Sequence, residues 1–133
     1  MKNILKLVAI AMIGLVVLTG CRTASVYNVM ENPVNVNKGV SDDQMFKAIK
    51  MAGLNLGWQI TKVKPGLAQG QLNLRDHMAV IEIPYSKDSF SITYKNSSNL
   101  NYDAAKNTIH SNYNGWIQNL SNAISLQLSA LEM

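Results

Sequence analysis

The sequence predicts an α+β domain of two layers, in which a three-stranded antiparallel meander is covered by an N-terminal and a C-terminal helix (α-β-β-β-α). Three observations lead to this prediction: a helix-start signal at Ser41 followed by an apolar stripe, short alternating runs between residues 58 and 95, and a second apolar stripe from residue 112. A sheet with one apolar face needs a cover, and two amphipathic helices can supply it.

The first helix is predicted over residues 41–56. Ser41 is a favoured N-cap residue, and Gln44, three positions later, completes a capping box. Asp42 and Asp43 fall in the first turn, where negative charge favours the helix dipole. The apolar stripe that follows has helical spacing and consists of Met45, Ala48, Ile49, Ala52 and Leu56.

Two of the three expected strands have clear boundaries. Residues 58–63 form the first strand, and Pro65-Gly66 marks the turn after it. Residues 86–88 form a short hairpin loop before the last strand, at residues 90–95. In that last strand the apolar side chains alternate with polar ones, as expected of a half-buried strand; they are Phe90, Ile92 and Tyr94.

The middle strand is predicted as one long segment over residues 67–85. Its apolar residues change phase, because Leu72 and Leu74 fall on the opposite face to those that follow. A bulge at residues 75–77 would reconcile the two phases without ending the strand. The residues of the second phase are Ala79, Ile81, Ile83 and Tyr85.

The C-terminal helix is predicted over residues 112–131, after a loop at residues 96–112. Apolar residues recur there at intervals of three and four, and the opposite face is polar. The apolar stripe consists of Tyr113, Trp116, Ile117, Leu120, Ile124, Leu128 and Leu131.

The N-terminus has the three parts of an export signal. Lys2 and Lys6 give it a positive start, and the run from Leu7 to Leu18 carries no charge. This run is shorter than the roughly 20 apolar residues that a membrane-spanning helix needs, and it matches the core of a signal peptide. The segment Leu18-Thr19-Gly20-Cys21 follows directly.

That last segment resembles the bacterial lipobox. The resemblance implies that a diacylglycerol is attached to the sulfur of Cys21, that the chain is cleaved before this residue, and that the new amino group is acylated. The alternative is an uncleaved N-terminal anchor with a free cysteine. Cys21 is the single cysteine of the chain, so it has no intramolecular disulfide partner. Two or more acyl chains would anchor the protein stably to a lipid bilayer.

The expected organisation is therefore a signal peptide at residues 1–20, a lipidated tether at 21–40 and a single α+β domain at 41–133. By resemblance to the sorting rule of proteobacterial lipoproteins, Arg22 favours the periplasmic face of the outer membrane over the inner membrane. Within the predicted tether, valines at 26, 29, 34 and 36 with Tyr27 could form a short edge strand, interrupted by Pro33.

Six further segments stand out in the mature chain, at residues 56–58, 75–80, 83–85, 90–94, 99–102 and 109–117. Through them, most of the mature chain resembles a family of small bacterial lipoproteins of unassigned function. This resemblance implies no known activity. The helix–strands–helix order is similar, in topology alone, to helix-grip domains of lipoproteins in the outer-membrane barrel-assembly machinery.

Charge and composition limit the classes of function. The formal net charge is +4, and removal of Lys2 and Lys6 with the signal lowers it to +2. The sequence has no basic stripe with interleaved aromatic residues, so nucleic-acid binding has no support. No cofactor motif and no catalytic constellation is visible, and an enzyme is not predicted.

The candidate ligand-binding residues lie on one strand and in the segment 97–116. Rings with polar tips, together with amide side chains, are typical of the lining of a small-molecule or peptide site. The simpler interpretation is that the asparagines cap turns while the aromatic rings fill the core. Two histidines cannot complete a zinc site alone, and Asp76 or Asp103 would have to join them, so a metal is not the favoured prediction. The candidates are His77, Tyr102, His110, Tyr113 and Trp116.

Taken together, these features predict a membrane-tethered periplasmic lipoprotein that is not an enzyme and that binds a protein partner or a component of the cell envelope. The alternative is a small-molecule or metal-binding periplasmic module that uses the loop at residues 97–116. Cys21 is the predicted lipidation site, and no cofactor is expected.

Overall fold

The computed structural model of the protein describes residues 22–132. The predicted signal peptide at residues 1–20 and the predicted lipidation site Cys21 lie outside this range. The elements, in chain order, are β1 (Thr23–Ser25), β2 (Val29–Pro33), α1 (Asp42–Asn55), β3 (Trp58–Lys64), β4 (Leu67–Leu74), β5 (His77–Pro84), β6 (Ser89–Ser98), β7 (Thr108–His110), α2 (Ser111–Ser129) and a short 3-10 helix (Ala130–Glu132).

The prediction of a three-stranded meander is wrong. The main sheet has five antiparallel strands in the order β2-β6-β5-β4-β3, and β1 pairs with β7 in a second, two-stranded sheet. Four consecutive strands, β3 to β6, do form a meander. Of the four additional strands, β1 and β2 come from the N-terminal segment and β7 from the stretch predicted as a loop, and the fourth arises because the predicted middle strand is two strands, β4 and β5.

One reason for the difference is a hairpin at Arg75-Asp76. The sequence predicted a single strand with a bulge here, whereas β4 and β5 pair antiparallel, with Leu74 opposite His77. Arg75 adopts a φ of 56°, in the left-handed region that arginine seldom occupies. A two-residue loop reverses the phase of the inward-facing side chains, so Leu72 and Ala79 face the same core as direct neighbours.

The segment predicted as a tether contains two strands. Residue Val29 is buried and pairs with Ile92 at the edge of the main sheet. Thr23 pairs with His110, and the carbonyl oxygen of Arg22 accepts a hydrogen bond of 2.9 Å from the backbone N–H of Ser111. The chain is therefore part of the folded domain from its first described residue.

Both helices lie close to their predicted positions. The capping box of α1 is present, because the Ser41 hydroxyl accepts from the Gln44 N–H at 3.1 Å and the Gln44 side chain accepts from the Ser41 N–H at 2.8 Å. The Lys62 ammonium bonds the carboxylates of Asp42 and Asp43 and so joins the start of α1 to β3. Although burial raises it, hydrogen bonds from Lys62 and from a backbone N–H hold the pKa of Asp42 below its ordinary value.

A single core lies between the helices and one face of the main sheet. The inward-facing row Ile60, Gly70, Ile81 and Tyr94 runs across four strands, and the missing side chain of Gly70 leaves room for its two isoleucine neighbours. No helix within residues 22–132 is both long and apolar enough to cross a bilayer. The largest fully buried side chains are Trp58, Tyr113, Phe90, Met45, Ile49, Ile81, Ile83, Ile92, Leu100, Ile109, Ile117 and Leu120.

Candidate functional site

The five candidate ligand-binding residues fall into two neighbouring clusters. His77, His110 and Trp116 form one, with the His77 ring 6.3 Å from each of the other two ring centroids. Tyr102 and Tyr113 belong to the other, on either side of a tyrosine of β6. The structure thus brings the predicted residues to one end of the domain without joining them in one pocket.

Both histidines use a ring nitrogen to hold backbone. His77 Nδ1 lies 2.8 Å from the carbonyl oxygen of Asn99 and donates to it. His110 is the N-cap of α2, and its Nδ1 accepts from the N–H of Asn112 at 3.1 Å. These bonds fix the loop after β6 and the start of α2.

The histidine cluster has few of the features of a metal centre. Residues 22–132 contain no group of three histidine, cysteine or acidic side chains that could hold an ion together. The carboxylate of Asp76 lies 3.7 Å from His77 Nε2, but its other oxygen accepts a hydrogen bond from the Asn99 amide. The donor set that zinc requires is therefore not assembled by these side chains.

The second cluster is a column of three tyrosines. The Tyr94 and Tyr102 rings are stacked, with centroids 4.2 Å apart and an interplanar angle of 28°. Tyr113 meets Tyr94 edge-on at 5.8 Å. Burial raises the pKa of the Tyr94 hydroxyl, which is bonded to Ser97 Oγ at 2.7 Å. Tyr113 is completely buried, so it belongs to the core beneath the site, whereas Tyr102 is 40% exposed at its surface.

Asparagines in the left-handed conformation shape the loop that carries Tyr102. Asn99, Asn101 and Asn107 have φ values between 52° and 59°, and asparagine tolerates this region better than most residues. Leu100, between the first two, is 1% exposed and anchors the loop in the core. The loop therefore has a defined shape, and Asn101 and Tyr102 are left at the surface.

These features surround an open cleft with a volume of about 600 Å³, which we call the Tyr–Asn cleft. A bulge in β6 opposite Val80 and Ile81 bends the strand where the cleft begins. Of its residues, Tyr102 was a candidate from the sequence, whereas Tyr94 was assigned to a strand only. No apolar residue lies between Tyr94 and Leu100, so the sequence carries no periodic signal for the bulge. The cleft is lined by Tyr94, Lys95, Asn96, Ser97, Asn99, Leu100, Asn101 and Tyr102.

A smaller apolar groove, of about 100 Å³, lies beside Trp116, whose ring centroid is 6.3 Å from that of His77. Trp116 forms part of its wall and is partly exposed. Leu56 and Leu74 are 40% and 44% exposed, which is high for leucine side chains beside a core. The groove is lined by Leu56, Trp58, Leu72, Leu74, Trp116 and Asn119.

Cys21, the predicted lipidation site, lies outside the described residues and is bonded directly to the first of them, Arg22. Comparison with family models, with curated proteins and with solved structures gives no match for this chain. The resemblance to small bacterial lipoproteins therefore stays a prediction.

Proposed function

We propose that the protein is a non-enzymatic lipoprotein, anchored by acylated Cys21 at the periplasmic face of the outer membrane, that binds a protein partner or a component of the cell envelope. The observation that carries the proposal is the Tyr–Asn cleft. It combines an exposed aromatic ring with several amide side chains in a concave surface, which is the composition of a recognition site.

The chemistry of the cleft favours a polar ligand without net charge. Amide groups both donate and accept hydrogen bonds, and the exposed part of the Tyr102 ring offers an apolar surface. Lys95 is the single formal charge among the lining residues. Its ammonium lies 3.3 Å from the Glu82 carboxylate and donates to the Gln69 side chain, so its charge is already partnered. A sugar or an extended peptide backbone fits these properties.

Preorganisation of the loop also supports binding. The side-chain amide of Asn99 donates to the Asp76 carboxylate at 2.7 Å, and the backbone carbonyl oxygen of Asn99 accepts from His77. The carbonyl oxygen of Leu100 accepts from the N–H of His110 at 2.8 Å. A loop held at these points loses little conformational entropy when a ligand binds, so more of the contact energy contributes to affinity.

The proposal can be tested by site-specific photocrosslinking in cells. A benzophenone amino acid in place of Tyr102 is expected to give a discrete crosslinked species in the envelope. The same amino acid in place of Gln118, an exposed residue of α2, is the matched control. Equal adducts at both positions, or none at position 102, would contradict the proposal.

A second candidate function is the binding of a small polar molecule in the same cleft. Its volume of about 600 Å³ falls within the range of about 300–1,000 Å³ that is usual for small-molecule sites. Native mass spectrometry of the full protein released from detergent would detect such a ligand as a fixed added mass. The Tyr102→Ala variant should lose that mass, and an unliganded wild-type protein would exclude a tightly held ligand.

A further inference from the structure

The distance between the predicted lipid anchor and the folded domain is very short. Arg22 is held by the hydrogen bond from Ser111, and Thr23 already pairs in the small sheet. Cys21 is the preceding residue, and consecutive Cα atoms are about 3.8 Å apart. A lipid attached to Cys21 would therefore hold this end of the domain against the bilayer, because no flexible tether separates them.

The apolar groove lies at the same end of the domain. Trp116 is five residues after Ser111 in α2, a rise of about 7.5 Å along the helix axis. His110 pairs with Thr23 in the small sheet. The centroid of the His77 ring is 6.3 Å from that of His110 and 6.3 Å from that of Trp116. The groove is thus on the order of 10 Å from the residue that follows the anchor.

The side chains around the groove suit a membrane surface. Tryptophan favours the boundary between headgroups and acyl chains, where its ring is apolar and its N–H remains hydrated. Leu56 and Leu74 add exposed apolar area beside it. Arg22 and Arg75 are both exposed and can bond lipid phosphates. The turn that carries Arg75 also carries the acidic residue Asp76, whose carboxylate accepts a hydrogen bond from the Asn99 side chain.

We infer that the protein docks onto the bilayer through this membrane-facing patch, formed by Arg22, Leu56, Leu74, Arg75 and Trp116. The inference rests on the proposed lipid anchor at Cys21. The occupant is lipid, because an anchor attached one residue before Arg22 keeps the bilayer within reach of the patch at all times. The domain is then seated on the membrane in one orientation, with the far end of α2 directed away from the lipid.

Tryptophan fluorescence tests this orientation. The chain has two tryptophans, and Trp58 is buried at 2% exposure, so emission sensitive to lipid comes from Trp116. The mature full protein, purified in detergent, is reconstituted into vesicles of phosphatidylethanolamine and phosphatidylglycerol whose acyl chains carry bromine, a contact quencher. Wild-type emission should fall relative to unbrominated vesicles, and the Trp116→Phe variant should lose this response.

A matched control places the reporter at the other end of α2. Leu126 is 71% exposed and lies about 22 Å along the helix axis from Ser111, so Leu126→Trp in the Trp116→Phe background should resist quenching. Equal quenching at positions 116 and 126, or none at 116, overturns the inference. Mass spectrometry of the same samples separates the two proposals: a lipidated, vesicle-bound protein with unquenched Trp116 refutes the docking alone, whereas absence of lipid on Cys21 refutes the anchor and the docking together.

Discussion

Replacing Gly53 by alanine should destabilise the protein, although the same change usually strengthens a helix. An added Cβ at position 53 would lie 2.5 Å from Cγ1 and 2.8 Å from Cδ1 of Ile60. Carbon atoms in contact are normally about 3.5–4.0 Å apart, so α1 or the isoleucine must shift by about 1 Å. At Gly53, α1 therefore packs against β3 too closely to leave room for a side chain.

The magnitude follows from two opposing effects. Alanine stabilises a helix by about 0.8–1.0 kcal/mol relative to glycine, whereas overpacking a core lowers the free energy of unfolding by about 1–3 kcal/mol. The net effect of Gly53→Ala is a loss of about 0–2 kcal/mol in the free energy of unfolding. Gly115 in α2 has no atom within 4 Å of the added Cβ. Gly115→Ala should therefore raise the free energy of unfolding by about 1 kcal/mol, without an overpacking cost.

Urea unfolding of residues 22–133, exported without lipid, measures both variants against the parent domain. The difference in unfolding free energy between Gly115→Ala and Gly53→Ala isolates the overpacking cost, which we expect to be about 1–3 kcal/mol. If both variants gain the same stability, α1 does not approach β3 as closely as the structure indicates, and the packing described for the core is wrong.

Three further predictions concern stability and the cleft. The Tyr113 hydroxyl is buried with no hydrogen-bond partner among residues 22–132, so Tyr113→Phe should leave the melting temperature unchanged or raise it; a marked fall would show that the hydroxyl is bonded in solution. Although burial raises it, the folded-state pKa of Asp42 is lowered overall by its hydrogen bonds to Lys62 and Gly66, so its stabilisation is fully present above the unfolded-state pKa of about 4 and is lost as the pH falls through the lowered folded-state pKa. Asp42→Asn should therefore reduce stability at neutral pH and flatten the acid limb of the stability curve; an unchanged curve would contradict this. Leu100→Ala should lower the free energy of unfolding by about 2–5 kcal/mol and weaken crosslinking from position 102. Unchanged crosslinking would show that the polar contacts hold the loop without Leu100.

The helices were predictable because their signals are local. Ser41 and Gln44 form the capping box within four residues, and the apolar stripes of both helices repeat within each segment. Such patterns need no knowledge of the rest of the fold. The observed α1 and α2 differ from the predicted ranges at their ends by one or two residues, where helix boundaries are least defined.

The sheet was mispredicted for two physical reasons. The hairpin at Arg75-Asp76 lacks the glycine or asparagine that usually occupies a position with positive φ, so the turn resembled a bulge. A strand of residues 67–85 exceeds the usual length of about 3–10 residues, and the phase reversal is also what a two-residue hairpin produces. The pairing of β1 with β7 joins distant segments of three residues each, too short to carry a pattern.

The candidate site was anticipated in part. The sequence selected Tyr102 and the histidines by residue type, and the structure gathers them at one end of the domain. The sequence could not indicate that Tyr94 stacks on Tyr102, because this contact depends on the path of the loop between them. Trp116 was assigned to the core stripe of α2 and also named as a candidate; its partial exposure beside the groove depends on the packing of β4.

The lipid anchor at Cys21 underlies both the proposed function and the membrane orientation. Mass spectrometry of the N-terminal peptide from the protein purified from envelope membranes tests it. The expected peptide begins at Cys21 and carries a diacylglycerol on sulfur and an acyl group on nitrogen, and a Cys21→Ser variant accumulates as uncleaved precursor without lipid. A peptide with an unmodified Cys21, or normal maturation of Cys21→Ser, would contradict the anchor.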